Sequence, residues 1–493
     1  MFLNTKTHFL PLIIYQHYDM LSGSITDIQH LLNSFQERLT HLENKVHSLE
    51  IENAHLRYKL HQSEMENERL KVRLSHYESP KKDSHNSHIP PSKQDLSSVK
   101  TVRTQSLREK SGKPSGGQAG HEGISLAFSQ VADREANYVA HYCPQCGKDL
   151  IETPSQLLEE RWSIDLPPIV PETILHRIHG KQCSCGCMVK GEAPDFVKGF
   201  VSYGSHLKAL VSYLNTEHHI PYRRLCEILR DVFDLPVSEG TIHNLLEHMK
   251  TAGTPLYQEI RRRIETSSVV GADETGCNIN GKTHWQWSFQ TENLTYVYPD
   301  ASRGKAAIDK HFPQGLPHSY LVTDRHSSYF KMNVKGHQIC LAHLLRELIY
   351  LTELEPEEPW PKEMLELMRE AIHKRKTQPW EEIDRKSILE RFEELLYRSL
   401  QCINDKIENL KTSLIKHRDH VFGFLFHPKI PYDNNASERS IRPLKVKQKV
   451  SGLFRSLEGA LTYALIHSLA DTARKNNQSP FLALKVIAQG GGG

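Results

Sequence analysis

The segment 269-VVGADETG-276 decides the fold class of this chain, which is 493 residues long. It reads as a short buried strand that ends in an acidic residue, Asp273. The stretches WQWSF and TYVY that follow, within 285–298, alternate as neighbouring antiparallel strands do. A second apolar run, 320-YLVT-323, again ends in an acidic residue, Asp324. The pattern predicts an α/β domain whose sheet carries carboxylates at its strand ends.

A third acidic residue extends this pattern. Glu438 stands in the segment DNNASER, near the start of a helix that Asp433 or Asn434 could cap. Mg²⁺ prefers oxygen ligands, and two such ions about 3.5–4 Å apart can clamp the attacking and leaving oxygens of a phosphodiester displacement. Asp324 would bridge both ions, with Asp273 on one and Glu438 on the other. Taken singly, each acid is more often a strand-end or capping residue than a ligand, and spacing alone does not show that they converge.

Helical patterns lie on both sides of the strand-rich stretch. Residues 202–250 read as helical, long amphipathic helices fill roughly 341–420, and a last helical region runs from 434 to about 475. Within the first of these, residues 220–250 read as two helices broken at 237–240, which suits a DNA-reading helix-turn-helix unit. The alternative is a plain helical hairpin, since the second helix carries few basic residues.

Five of the nine cysteines lie close together in the chain. Cys143 and Cys146 form a Cys-x-x-Cys knuckle, and Cys183, Cys185 and Cys187 follow in a second cluster. Four of these five thiolates would close a tetrahedral structural zinc site. The alternatives are a redox pair, which lacks the usual βαβ context, or reduced free thiols. Further candidate ligands, less favoured by their spacing, are His176 and His179.

The region 25–77 carries a heptad repeat of apolar residues. Asn53 and Asn67 occupy two of the a positions, where a polar residue fixes the register and favours a dimer. The repeat therefore predicts a coiled coil through which the chain forms a homo-oligomer. The alternative is a single amphipathic helix that packs on its own domain.

The remaining segments are predicted to be linkers and tails. Residues 79–124 are rich in Ser, Pro, Gly, Lys and His and read as a flexible, mildly basic linker. The apolar stretch at 9–15 is too short to span a bilayer, so no membrane association is expected. Met20 is a candidate for the true start, with 1–24 an N-terminal segment that is in part over-annotated. The run 490–493 reads as a disordered tail.

Three segments resemble transposases of the insertion sequence 66 family. They are GADETGCNINGKTHWQW at 271–287, LVTDRHSSYF at 321–330 followed by CLAHLLREL at 340–348, and YDNNASERSIRPLKVKQKVSGLFRS at 432–456. The order of parts also resembles that family: an N-terminal coiled coil, a GGQAGHEG linker, a zinc module and a catalytic domain. The resemblance therefore covers most of the chain.

The resemblance implies a ribonuclease-H-like catalytic domain with a helical insertion between the second and third acids. It implies that Asp273, Asp324 and Glu438 are catalytic ligands of Mg²⁺ or Mn²⁺. The expected reaction is cleavage at the ends of the element, which frees 3′-hydroxyls, followed by strand transfer into target DNA. Cys340 and His343 resemble a Cys-x-x-His element of several such enzymes, although a packing helix gives the same pattern. Small accessory transposition proteins are possible partners.

Charge adds a second expectation about DNA. The chain has 62 Lys and Arg against 59 Asp and Glu, so its net charge of +3 says little. A basic run behind Glu438 is by default a solvated helix face, but beside an active site for DNA it favours phosphate contacts. The residues of that run are Arg439, Arg442, Lys445, Lys447, Lys449 and Arg455.

The predicted architecture is a multidomain α/β chain, active in the cytoplasm in association with the nucleoid. Its segments are 1–24 N-terminal, 25–78 coiled coil, 79–124 linker, 125–200 zinc-binding module, 201–255 helical, 256–340 first part of the catalytic domain, 341–425 helical insertion, and 426–493 C-terminal part of the catalytic domain. The irregular second cysteine cluster and the short C-terminus favour one alternative, a decayed or domesticated copy that binds DNA without catalysis. A scaffold that binds only protein would leave the three acidic motifs unexplained.

Overall fold

A computed structural model describes residues 25–78, 82, 86–87, 131–167, 169–402 and 404–490. The predicted segment 1–24, nearly all of the predicted linker 79–124 and the last three residues lie outside the described residues. The chain divides into two compact units, Met1–Lys81 and Lys82–Gly493. No helix within the described ranges is long and apolar enough to cross a membrane.

The first unit contains one long helix, α1, at Ile25–Glu78. Its sequence repeats leucine at heptad spacing, and the described leucines of that stripe are exposed, as Leu42 (60%) and Leu49 (50%) show. A stripe of this kind is what coiled coils bury between helices. The helix is therefore as predicted, and the coiled coil stays a prediction.

The second unit begins with a segment that contains little regular structure. Between 131 and 204 the chain is mostly extended and exposed. A short antiparallel hairpin interrupts it, with β1 at Gly180–Gln182 and β2 at Met188–Lys190.

A five-stranded mixed sheet forms the centre of the second unit. Its strands are β3 Val269–Ile279, β4 Lys282–Gln290, β5 Thr295–Asp300, β6 Leu316–Thr323 and β7 Val334–Ile339. Their order across the sheet is β5-β4-β3-β6-β7. The β3–β4–β5 part is antiparallel, whereas β6 runs parallel to β3, and β7 runs parallel to β6. Asn280 and Gly281 join β3 to β4 with φ of 48° and 77°, which is the two-residue turn that Asn-Gly favours.

Helices precede the sheet, interrupt it and follow it. They are α2 Ser205–Thr216, α3 Tyr222–Phe233, α4 Glu239–Glu265, α5 Lys305–His311, α6 Leu341–Leu354, α7 Pro359–Thr377, α8 Arg385–Tyr397, α9 Asp405–Lys416, α10 Asn435–Ser451, α11 Leu457–Lys475 and α12 Pro480–Ala488. Helices α6 to α9 occupy the predicted insertion between the second and third acids.

Two large hydrophobic cores hold these layers together. One packs α2, α3, α4 and residues of α11 and α12 against the sheet, with Trp287 and Phe289 fully buried within it. The other lies mainly among α6, α7, α8 and α9 and reaches the sheet through Val322 of β6 and Ile339 of β7. The insertion therefore has a core of its own that continues into the edge of the sheet.

The boundary predicted at 255/256 differs from the structure. Helix α4 runs through this point without a break, and its buried residues Ile242 and Ile260, on either side of the boundary, belong to the same core as the sheet. Helical residues on both sides of position 255 therefore pack in the same core as the sheet. An amphipathic pattern shows that a helix has a buried face, but it does not show what that face packs against.

Candidate active site

Strand register places the first two acids side by side. In the parallel ladder between β3 and β6, Val269 pairs with Tyr320 and Gly271 pairs with Val322. Asp273 stands two residues beyond Gly271, and Asp324 stands two residues beyond Val322. Asp324 is the first residue after β6, so the ladder, which ends at Gly271 and Val322, leads the chain to Asp273 and Asp324 at the same distance from its last pair.

Helix α10 brings Glu438 to the same place. Its N-cap residue Asn434 donates a hydrogen bond from Nδ2 to the carbonyl of Ala272 (2.7 Å), the residue before Asp273. Six residues further on, the hydroxyl of Ser440 lies 2.7 Å from that of Ser288 on β4. Glu438 lies between these two anchors, so its helix is fixed against the strand that carries Asp273.

Of the two residues that the sequence offered as caps for this helix, Asp433 bonds its first backbone N–H and Asn434 makes no capping bond. Asn434 occupies the N-cap position, but its side chain makes no capping hydrogen bond. It reaches the sheet instead, while Asp433 Oδ1 accepts from the backbone N–H of Asn435 (3.1 Å). The Asn434 side chain therefore acts as a tertiary contact rather than a local cap.

Gly271 allows the helix to approach this closely. A Cβ atom on Gly271 would lie 2.5 Å from Ser437 Oγ and 3.1 Å from Asn434 Oδ1, and it would also meet Gln290 Nε2. Atoms of that size cannot share this space, so any side chain here would push α10 away from β3. Gly271 was quoted in the sequence motif, but its packing role depends on a partner more than 160 residues away and could not be inferred there.

The electrostatics show that the other two acids lie near Asp273. Burial, together with the negative charges of Glu274, Asp324 and Glu438, raises the pKa of Asp273 to about 8. Charges act on a pKa in this way only at short range. Asp324 and Glu438 are therefore close enough to act on Asp273, and the assignment of the three as catalytic residues stays a prediction.

The three acids are the type of ligand that a hard divalent cation takes, since oxygen is the ligand that Mg²⁺ and Mn²⁺ prefer. Within the described residues their carboxylate oxygens do not all lie within 4.8 Å of one another, so a metal site at these acids stays a prediction. Glu438 Oε1 is buried without a hydrogen-bond donor among the described residues. Asp324 Oδ1 accepts from the backbone N–H of His326 (2.9 Å), which orients that carboxylate. A cation would satisfy this oxygen, and it would oppose the part of the Asp273 pKa shift that comes from the neighbouring charges rather than from burial.

Glu274, next to the first acid, serves a different purpose. Successive residues of a strand point to opposite faces, and Glu274 is buried with its side chain 1% exposed. It binds Arg303 (2.8 Å to Nη2) and accepts a hydrogen bond from the Tyr329 hydroxyl. Burial and the charge of Asp324 raise its pKa, and its two partners oppose that shift. This cluster holds the loop after Asp324 to β3, and no local sequence pattern predicts it.

Cys340 and His343 also lie at the site. Cys340 stands directly before α6, and its Sγ accepts from the backbone N–H of Asn434 (3.1 Å). Burial raises the pKa of this thiol to about 12. His343 Nε2 is 3.5 Å from Glu438 Oε1. The Cys-x-x-His pattern thus belongs to the surroundings of the third acid.

The basic run divides into exposed and buried residues. Arg442, Lys445 and Lys449 follow Glu438 at four, seven and eleven residues, so they continue its face of α10. These three are exposed, as are Arg439 and Arg455.

Lys447 is the exception, since it is 7% exposed and donates to the carbonyl of Asn215 (3.3 Å). Burial lowers its pKa to about 8. Its side chain points into the protein, so Lys447 is removed from the predicted DNA contacts.

The five N-terminal cysteines form two separate turns. Cys143 N–H donates to the carbonyl of Lys148 (2.9 Å), and Cys183 N–H donates to that of Cys187 (2.8 Å). Gly147 and Gly186 supply the positive φ that each turn needs. Within the described residues, no three of these five sulfur atoms lie within 4.8 Å of one another. The zinc site at Cys143, Cys146, Cys183, Cys185 and Cys187 stays a prediction.

The helix-turn-helix candidate corresponds to α3 and α4. Asp234 ends α3 in the left-handed conformation (φ 48°), and the Ser238 hydroxyl caps α4 by accepting from Thr241 N–H. However, α4 is 27 residues long and buries Leu245 and Met249 in the central core. The two-helix prediction is correct, and a DNA contact by α4 stays a prediction.

Comparison with known protein families identifies one match. The sequence model described as Transposase IS66 family matches residues 201–462, which is just over half of the chain. This span begins before α2, ends within α11 and includes all three acids. A search among curated proteins found no match.

Proposed function

Because this chain belongs to the IS66 family of transposases, we propose that it cleaves DNA at the ends of its insertion sequence and joins those ends to target DNA. Asp273, Asp324 and Glu438 are the proposed catalytic residues. The observation that supports the proposal is that Asp324, which follows β6, and Glu438, on α10, both act on Asp273 of the neighbouring strand β3, whose pKa burial and these charges raise to about 8.

The proposed fold of the catalytic unit is ribonuclease-H-like. Three antiparallel strands are followed in the chain by two parallel ones, with the first strand of the series at the centre of the sheet. The first acid lies on that central strand, and the second follows its parallel neighbour. Helices α6 to α9 separate the second acid from the third. This arrangement supports the ribonuclease-H-like fold that the family resemblance implies.

The three carboxylates would hold Mg²⁺ or Mn²⁺. When bound, such an ion supplies Lewis-acid chemistry for in-line displacement at a phosphodiester. The contribution of the chain is to fix the acids before the substrate arrives. Asn434 and Ser440 hold α10 on the sheet, and the His326 N–H orients Asp324. Preorganised charge of this kind avoids reorganisation at the moment of reaction.

The exposed cations near this site are the proposed DNA contacts. Arg442, Lys445 and Lys449 extend from Glu438 along one face of α10, and Arg439 and Arg455 lie close by in the chain. Cations on such a face neutralise phosphates and hold the backbone in register without reading sequence. DNA bound along α10 would pass directly over the third acid.

The remaining parts of the chain serve assembly in this proposal. Self-association through α1 would bring two active sites to the two ends of one element. Structural zinc would hold together the two cysteine turns. Accessory transposition proteins remain possible partners, and a DNA substrate places the activity in the cytoplasm at the nucleoid.

A cleavage and strand-transfer assay tests the proposal. The substrate is DNA carrying the element's own ends, with Mg²⁺ or Mn²⁺, and wild type is compared with Asp324→Asn and Glu438→Gln. We expect metal-dependent cleaved and joined products from the wild type and a loss of at least about 100-fold in each variant. Asp309→Asn is the matched control, because this half-exposed acid on α5 pairs with Lys305 and is not one of the three proposed catalytic acids. Full activity of Glu438→Gln would refute the assignment.

A further inference from the structure

One cluster of metal-binding side chains lies beside the three acids and is chemically different from them. Cys340, His343 and Glu438 each offer one ligand atom, and these atoms all lie within 4.8 Å of one another. Among the described residues, no other group of three or more His, Cys, Asp or Glu side chains meets this distance limit. Only Glu438 is shared with the proposed catalytic site.

The ligand set favours a different metal. Thiolate and imidazole are ligands of zinc-class ions, whereas Mg²⁺ takes oxygen and retains water. Three protein ligands of mixed S, N and O type leave the fourth position of a tetrahedral zinc ion open to water. A site of this composition would bind Zn²⁺ in preference to Mg²⁺.

The contacts that hold this cluster together do not involve Asp273 or Asp324. Cys340 directly precedes α6, and His343 lies one turn into the helix. The Leu341 N–H donates to the carbonyl of Tyr432 (2.9 Å), and the Asn434 N–H donates to Cys340 Sγ (3.1 Å). These bonds tie the start of α6 to the segment that leads into α10, and so they bring Glu438 to the cysteine and the histidine.

An ion can reach the cluster from solvent through two of its ligands. The Cys340 side chain is fully buried, whereas those of His343 and Glu438 are 22% and 35% exposed. His343 and Glu438 are therefore the accessible ligands, and the thiol is the buried one.

We propose that Cys340, His343 and Glu438 form a binding site for a zinc-class divalent cation, and that an ion bound there withdraws Glu438 from the catalytic metal. Binding replaces the thiol proton, which passes to solvent, and changes no oxidation state. The withdrawal of Glu438 rests on the proposed function, whereas the binding site itself does not. The consequence is inhibition of the transposase by Zn²⁺ in the presence of Mg²⁺.

Zinc content tests the site without reference to activity. The full chain is dialysed against buffered Zn²⁺, and bound metal is measured for wild type, Cys340→Ser and His343→Asn. Serine is a poor zinc ligand but retains an acceptor for the Asn434 N–H. All three proteins keep the five N-terminal cysteines, so zinc bound there cancels in the comparison. We expect each variant to bind one equivalent per chain less than wild type.

Cys277→Ser is the matched control for loss of a buried thiol. Cys277 is 4% exposed on β3 and belongs to no metal-binding group within the described part of the chain. It should bind as much zinc as wild type. Co²⁺ should give a thiolate-to-cobalt absorption band that is weaker in Cys340→Ser than in Cys277→Ser. Equal zinc content in wild type, Cys340→Ser and His343→Asn, with native circular dichroism, would overturn the site.

Inhibition is measured separately. In the Mg²⁺-dependent cleavage assay, added Zn²⁺ should inhibit wild type and Cys277→Ser at the same concentration. Cys340→Ser should need at least about tenfold more Zn²⁺, since losing one of three ligands costs more than about 1.4 kcal/mol of binding. An extra zinc equivalent without any Mg²⁺-dependent cleavage would support the site and count against the proposed function. Cleavage that Zn²⁺ inhibits equally in wild type and Cys340→Ser would refute the withdrawal of Glu438.

Discussion

At the scale of single residues, the active site depends on side chains that perform no chemistry. Gly271 determines how closely α10 approaches β3, and Asn434 holds the start of that helix to the carbonyl of Ala272. The position of Glu438 therefore depends on the absence of a side chain at Gly271 and on the amide of Asn434.

We expect Gly271→Ala to destabilise the protein by about 1–3 kcal/mol, as overpacking of a tight interface does. The added Cβ would overlap Ser437 and Gln290, so α10 must shift and Glu438 must move with it. Cleavage activity should fall more than stability alone would explain. Urea denaturation and the cleavage assay measure the two effects.

Gly276→Ala is the control on the same strand. A Cβ there would lie 3.8 Å from the nearest atom of Trp285, which is an ordinary contact. The substitution should leave the free energy of unfolding close to that of wild type and the cleavage activity within twofold. Equal damage from both variants would show that β3 tolerates no added side chain and that the approach of α10 is not the cause.

Glu217 gives the protein a predictable response to acid. Burial alone would raise its pKa, but hydrogen bonds and charges from His467 and Arg474 outweigh burial and lower the pKa to about 2. An acid whose folded pKa is lowered stabilises the fold above its unfolded pKa and loses this effect as the pH falls. The stabilisation should amount to about 3 kcal/mol and disappear between about pH 5 and about pH 2.

Thermal unfolding as a function of pH, compared between wild type and Glu217→Gln, measures this effect. The variant should be less stable at pH 6 and should lose less stability on acidification. Parallel curves for the two proteins would assign the acid sensitivity to other groups. Glu239→Gln is the control, because Glu239 is exposed at the start of α4.

At the scale of elements, α10 divides its residues between an exposed and a buried face. Glu438 and the exposed cations share one face, and the buried face carries Ser437 and Ser440, which contact the sheet, and Lys447, which donates to the carbonyl of Asn215. A helix places residues seven and eleven apart on the same side, so this division follows from its period.

Lys445→Ala should weaken DNA binding and lower the slope of log affinity against log salt by about 1, since one phosphate contact is lost. Lys447→Ala should leave that slope unchanged and should destabilise the fold instead, because it removes a buried contact with Asn215. Fluorescence anisotropy at several salt concentrations measures the first effect, and denaturation measures the second. A reduced salt slope in Lys447→Ala would show that its side chain reaches DNA.

The elements were predictable where a local pattern determines them. Alternation correctly indicated β4 and β5, the apolar runs indicated β3 and β6, and the heptad indicated α1. The prediction that Asp273 ends its strand was wrong, because β3 continues to Ile279, whereas Asp324 does follow the last residue of β6. The edge strand β7 was missed because its sequence, VKGHQI, has no clear alternation. Helix α4 was assigned to a separate domain because periodicity does not identify the packing partner.

Sequence patterns indicated the candidate catalytic acids but not the residues that hold them in position. Asp273, Asp324 and Glu438 have signatures in their own segments. The contacts between Gly271 and Ser437 and between Glu274 and Tyr329 join segments that are distant in sequence. No local rule connects such residues, so only the three-dimensional structure reveals them.

At the scale of the whole molecule, the exposed leucine stripe of α1 requires a partner. A long helix with a repeating apolar face loses free energy when that face stays in water, and pairing with a second copy recovers it. Asn53 and Asn67, at a positions of the repeat, would set the register of a dimer. We therefore expect the full chain to be at least dimeric.

The double substitution Leu42→Asp and Leu49→Asp should convert the full chain to a monomer, as measured by light scattering after gel filtration. Each change places a charge in the seam between helices, where burying it is costly. The matched control is Asn44→Asp with Ser48→Asp, which adds the same charge on the opposite side of α1. The control should keep the wild-type mass. A monomeric wild type, or a control as monomeric as the leucine variant, would show that α1 is not the means of assembly.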